Sequence, residues 1–95
     1  MKFIYTKRYL QRFDRFPADD QRLILSADSQ VRAYYTTRQA PHGLRIKLLY
    51  SGTAKVLEAR ASRAIRMVWV EAADVVSFTL VGLHDEVKRY LRSVR

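Results

Sequence analysis

The chemistry-bearing residues of this sequence cluster in the segment L-E-A-R-A-S-R-A-I-R-M-V-W, residues 57–69, and in the histidine that closes the next apolar run. If Ser62 to Ala64 form a three-residue loop, Arg60 falls opposite Arg66 and Glu58 opposite Val68 on one face of a β-hairpin. Leu57, Ala59, Ala61, Ile65, Met67 and Trp69 then share the other face. Two guanidiniums as direct cross-strand neighbours repel each other. An anion between them, or a carboxylate beside them, relieves that repulsion, so the pattern points to a phosphate site or to an ion network centred on Glu58. A two-residue loop would set Arg60 against Ile65 and separate the arginines, so the site depends on this register. His84 stands at a strand end, where an imidazole can donate a proton.

These residues need a scaffold, and the rest of the chain supplies one. K-F-I-Y at residues 2–5 is β-prone, and Thr6 stands as an N-cap before Tyr9, Leu10, Phe13 and Phe16 at helical spacing. Pro17 suits a first helical position, with Asp19 and Asp20 in the first turn complementing the helix dipole. Ile24, Ala27, Val31 and Tyr34, joined by Leu23 and Tyr35, carry that second helix to about Arg38. Pro41 and Gly43 mark a loop, in which His42 reads as an exposed loop residue. Strands are expected at about 44–50, 55–61, 65–71 and 75–83, with turns at Ser51-Gly52, Ser62 to Ala64 and Ala72 to Asp74. Connections this short imply antiparallel pairs. Val87, Tyr90, Leu91 and Val94 then predict a short C-terminal helix. The expected fold is α+β in a single domain spanning residues 1–95. It is a small antiparallel, mixed-edge sheet with two N-terminal helices on one face and a short helix at the C-terminus.

Composition narrows the function classes. The chain has 95 residues, of which 48% are hydrophobic, and eighteen Lys and Arg against nine Asp and Glu give a formal charge of +9. That excess is above the roughly 2–8 that solubility asks of a small domain, and it predicts a polyanionic or acidic partner. With residues 1–50 at +6 and 51–95 at +3, it is no basic tail. A chain this short buries roughly 60–65% of its unfolded surface, which argues against a deep cofactor crevice. There is no cysteine and there are only two histidines, which removes thiolate chemistry and argues against a zinc site. No signal peptide or membrane span is readable, and a cytoplasmic protein is expected.

E-A-R-A-S-R-A-I-R-M-V-W, followed by an acid-containing turn, an apolar strand and V-G-L-H-D-E-V, resembles the RelE/ParE superfamily of toxins from type II toxin–antitoxin systems over about residues 44–90. The separations of six from Arg60 to Arg66 and of eighteen from Arg66 to His84 are similar to the YoeB-like, RNA-cleaving branch. The resemblance implies a ribosome-dependent endoribonuclease that cuts mRNA in the decoding site, with no cofactor and no metal. It also implies an acidic cognate antitoxin that wraps the basic sheet face and displaces the C-terminal helix, residues 85–95. By position Arg66 is the phosphate-stabilising arginine and Arg60 positions the backbone, while His84 supplies the acid for the departing 5′-oxygen.

RNA-cleaving relatives place a Glu or Lys base in or near the preceding strand. Here that strand reads L-R-I-K-L-L-Y, with no carboxylate, so Glu58 is the nearest candidate for a catalytic role, although an E-x-R pair is equally a structural ion pair. Lys47 and Lys55 either aid attack or grip phosphates, and Arg45, Arg63 and Lys88 complete the expected phosphate-binding set. The family's stacking tyrosine is replaced by Lys88, which leaves Tyr90, Tyr50 or Trp69 for base stacking. The alternatives are a ParE-like inhibitor that binds DNA gyrase, or a toxin-like module that binds RNA or protein without catalysis.

Overall fold

The computed structural model describes residues 1–93. In chain order the elements are β1 (Lys2–Tyr5), α1 (Lys7–Asp14), α2 (Ala18–Thr37), a 3-10 turn (His42–Leu44), β2 (Lys47–Ser51), β3 (Lys55–Arg60), β4 (Ile65–Ala72), β5 (Val75–Leu83) and α3 (His84–Ser93). The five strands form one sheet in the order β1-β5-β4-β3-β2. β1 pairs parallel with β5 and all other pairs are antiparallel, which is the expected mixed-edge α+β sheet. No helix of the described residues is long and apolar enough to cross a membrane.

Local chemistry explains the boundaries. The Thr6 side chain caps α1 by accepting the Tyr9 N–H at 3.2 Å. Pro17 is the N-cap of α2 rather than its first helical residue, because its carbonyl already accepts the Gln21 N–H at 2.9 Å. Asp19 and Asp20 fill the first turn as expected, and Arg38 ends the helix in the left-handed region. The strand expected from residue 44 starts instead at Lys47. Leu44 is driven into the core at the end of the 3-10 turn, bonding back to Pro41, and Arg45 takes a positive φ that no strand can hold. Leu23, expected to pack, is 45% exposed; one step from Ile24, it falls off the buried stripe of Ile24, Ala27, Val31 and Tyr35. Val94 lies outside the described residues.

The main core lies between α2 and the inner face of the sheet, and α1 closes it beside β5. It holds Tyr9, Ile24, Val31, Leu57, Ala59, Met67, Trp69, Phe78 and Val81. The aromatic rings interlock, with Tyr5 stacked on Phe78 at 4.9 Å between centroids. A smaller cluster of Val56, Val68, Leu80 and Val87 fixes α3 to the outer face. One irregularity decides what that outer face displays. Val68 pairs with Leu80 but Trp69 pairs with Phe78, so Thr79 is an extra residue in β5. This bulge reverses the alternation beyond it, turning Leu80 and Gly82 outward and Val81 into the core. Thr6 holds it from the side, donating through Oγ1 to the Thr79 carbonyl at 3.1 Å.

Candidate functional site

The hairpin has the expected register. Arg60 lies opposite Arg66 and Glu58 opposite Val68. The three-residue loop closes without glycine because Ser62 Oγ accepts the Ile65 N–H at 3.1 Å, while the Ala61 N–H donates to the Ile65 carbonyl at 2.9 Å. Cross-strand pairing then arranges the outer face in rows. One row runs Arg60, Arg66, Gly82, and the next runs Lys47, Glu58, Val68, Leu80.

Glu58 is the buried carboxylate of this face, and its partner is not Arg60, two residues along its own strand, but Arg66 diagonally across the hairpin. Arg66 Nη1 donates to Glu58 Oε1 at 3.0 Å, with the two side chains only 15% and 10% exposed. The same guanidinium keeps its Nε buried with no hydrogen-bond partner among the described residues. An arginine held by one carboxylate, with a further buried donor unspent, is prepared to take an oxygen from an anion. Arg60, half-buried beside it, is in no ion pair among the described residues. Breaking the Glu58–Arg66 pair would strand a buried charge, which ties the two residues to one structural fate.

His84 is the first residue of α3, exposed, and its ring makes no hydrogen bond among the described residues. It follows Leu83, next to Gly82 in the arginine row. Its placement is governed by Glu86, a residue that the sequence reading used only as part of a motif. Glu86 accepts the Leu83 N–H at 3.1 Å, the N-terminal bond of a capping box, and receives Arg12 through Nε at 2.8 Å and Nη2 at 2.6 Å. Those bonds from Arg12, chiefly, hold the Glu86 carboxyl below the usual carboxylate range, against the opposing effect of its partial burial. Gly82 gives Glu86 its space, since a Cβ there would come within 3.1 Å of Glu86 Cδ. Nothing in the sequence announced this tie. The capping position before the helix is Leu83 rather than Ser or Thr, and Arg12 lies 74 residues away.

The remaining expected residues divide. Lys47 joins the site in the Glu58 row, whereas Lys55, opposite Glu71 in the alternate register, belongs to the inner-face side of the hairpin. Arg63 is exposed at the hairpin tip, Arg45 is exposed in the turn before β2, and Lys88 is exposed on α3. Tyr50 is 57% exposed in the row of Val56, with its ring against Gly52. Tyr90 is half-buried in the α3 cluster and carries the Arg8 guanidinium 5.1 Å above its ring. Trp69 is excluded as a stacking platform because it is fully buried in the main core. Its Nε1 donates to the Tyr35 hydroxyl at 2.8 Å, and that hydroxyl donates to Glu71 at 2.7 Å.

This geometry can be compared with known proteins. A chain of the archaeal RelE–RelB complex from Pyrococcus horikoshii OT3 superposes with a TM-score of 0.68 at 13% identity, over 86% of this chain and 92% of that one. The fold is that of RelE-like toxins. A chain of the RelB–RelE antitoxin–toxin complex from Methanococcus jannaschii gives 0.65 at 12% identity, over 92% and 96%. The YoeB/ParE toxin from Agrobacterium tumefaciens gives 0.61 at 18%, over 88% and 99%. No family model matches the sequence, and no curated protein sequence matches it at a significant level. The RelE-like architecture is therefore carried here by a sequence that retains little of its neighbours' residue identity.

Proposed function

We propose that the protein is the toxin of a type II toxin–antitoxin pair, acting in the cytoplasm as a metal-free, ribosome-dependent mRNA endonuclease. The observation that carries this reading is the outer-face row of Arg60, Arg66 and Gly82, with His84 two residues beyond Gly82 at the start of α3, on a RelE-like fold. In the reaction the RNA 2′-oxygen attacks the adjacent phosphorus, the phosphorus–5′-oxygen bond breaks, and the 5′-oxygen leaves with a proton. Arg66 and Arg60 neutralise the charge growing on the phosphoryl oxygens, His84 gives the proton to the 5′-oxygen, and Lys47 steadies the phosphate. Glu58 serves chiefly by orienting Arg66, since one of its oxygens is committed to that guanidinium. The Glu58 oxygen not engaged by Arg66 is the available acceptor for the 2′-proton. Tyr50, with its exposed ring, is the candidate base-stacking residue of this face.

The neutralising partner is an acidic antitoxin that covers the outer face, in line with solved neighbours bound to RelB. It competes with α3, which is attached to the sheet through the buried Val87 and the half-buried Tyr90 and Leu91. The reading is tested by inducing the wild-type protein and its Arg66→Ala and His84→Ala variants in cells and mapping new mRNA 5′ ends. Cuts in phase with codons, lost in both variants, are expected. Growth arrest without cleavage would point instead to a protein target such as gyrase, and neither arrest nor cleavage from folded protein would indicate a non-catalytic module.

A further inference from the structure

A large concavity is lined in part by the Arg12–Glu86 pair. It is an open groove of about 870 Å3 between α1 and α3, with Leu80 of β5 among its lining residues. Arg8 and Arg12 reach it from α1, Arg15 from the C-cap of that helix, and Arg89 from α3. Arg12 is committed to Glu86. Arg8, Arg15 and Arg89 are exposed and in no ion pair among the described residues, although Asp14 shares the groove. Arg89 also acts electrostatically on Glu86, and the four arginines of the groove still outnumber its two carboxylates, Asp14 and Glu86.

We propose that this groove is a second phosphodiester-binding surface, which receives RNA backbone continuing from the Arg60–Arg66 row. It extends the RNA reading given above. Two observations favour a sugar–phosphate chain over a partner helix. An amphipathic helix needs an apolar floor for its anchors, and among the lining residues only Leu80 is aliphatic. Arg8 and Arg15, in no ion pair among the described residues, also present forked donors matched to phosphate oxygens. Leu80 and Gly82 share the outer face about 7 Å apart along β5, and Gly82 is the cross-strand partner of Arg66, so the groove adjoins the Arg60–Arg66 row across the Arg12–Glu86 pair that covers Gly82. Arg8, lying over Tyr90, forms with it a cationic and aromatic wall suited to backbone and base together.

The test is the salt dependence of binding to a single-stranded RNA whose 2′-oxygens are methylated so that it cannot be cut. The triple variant Arg8→Gln/Arg15→Gln/Arg89→Gln should flatten the slope of log affinity against log salt by about 2, as expected for three lost contacts to a single strand. A charge-matched control, Arg22→Gln/Arg32→Gln/Arg38→Gln on and just beyond α2, should change it by less than half as much. Equal flattening in both triples, or none in the groove triple, would overturn the proposal, as would a polyglutamate probe losing as much affinity as the RNA. Failure here is separable from failure of the function. Codon-phased cleavage that needs Arg66 but an unchanged slope would sink the groove alone, and groove-dependent RNA binding without any cleavage would sink the nuclease alone.

Discussion

The two faces of the sheet are built on opposite terms. On the inner face, polar groups are enclosed and, the Tyr9 hydroxyl excepted, answered within the protein. Trp69 donates to Tyr35, Tyr35 to Glu71, and Tyr5 to Asp28 at 2.6 Å. Burial, and then the bond to Asp28, push the Tyr5 hydroxyl up to about 12, so it stays a neutral donor. On the outer face the apolar cluster is small, and the arginine row is left with donors to spare. The two buried side-chain polar atoms that lack partners among the described residues differ in their surroundings. The Tyr9 hydroxyl sits in the aromatic core, whereas Arg66 Nε sits beside an open cationic face. An unanswered hydroxyl in a core is a cost absorbed by packing, while an unanswered guanidinium donor beside other cations is a place for an anion. One face holds the domain together, and the other is kept available.

That contrast predicts where each substitution will register. The largest effect on stability belongs to the inner face. Trp69→Ala should cost about 3–5 kcal/mol in denaturant unfolding, enough to threaten a small domain. A loss under about 1 kcal/mol would show that the aromatic core is less essential than its burial implies. A smaller and more local effect belongs to the clip of α3. Glu86→Gln should cost about 1 kcal/mol and raise hydrogen exchange in α3 while leaving α2 protected. Because the folded-state pKa of Glu86 is shifted downward, its contribution is fully present above the ordinary carboxylate value of about 4.3. It is lost as pH falls through the lowered folded value. The gap between wild type and Glu86→Gln should therefore be widest near neutral pH and close in acid. A gap constant with pH, or exchange rising equally in α2, would break the division between the faces.

How much of this was legible in the sequence depends on the range of the interactions. The hairpin was readable because period-two alternation and a three-residue loop are local, and together they place Arg60 across from Arg66. α1 and its Thr6 cap were readable for the same reason. The late start of β2 was not, since it follows from Leu44 finding the core and forcing Arg45 into a left-handed conformation. The Thr79 bulge was hidden by the regular spacing of Ser77 and Thr79, which mimics an unbroken strand. The pairing of Glu58 with Arg66 rather than Arg60, and the Arg12–Glu86 tie, depend on which side chains meet in three dimensions. Trp69 was offered for base stacking although the alternation that found the arginines also placed it on the apolar face.

The most direct test of the central claim is cleavage of a defined mRNA on purified programmed ribosomes without added protein partners. The account predicts codon-phased cuts leaving 2′,3′-cyclic phosphate and 5′-hydroxyl ends, slowed by about a hundredfold or more in both Arg66→Gln and His84→Gln. Cleavage at the wild-type rate in folded Arg66→Gln protein would contradict it.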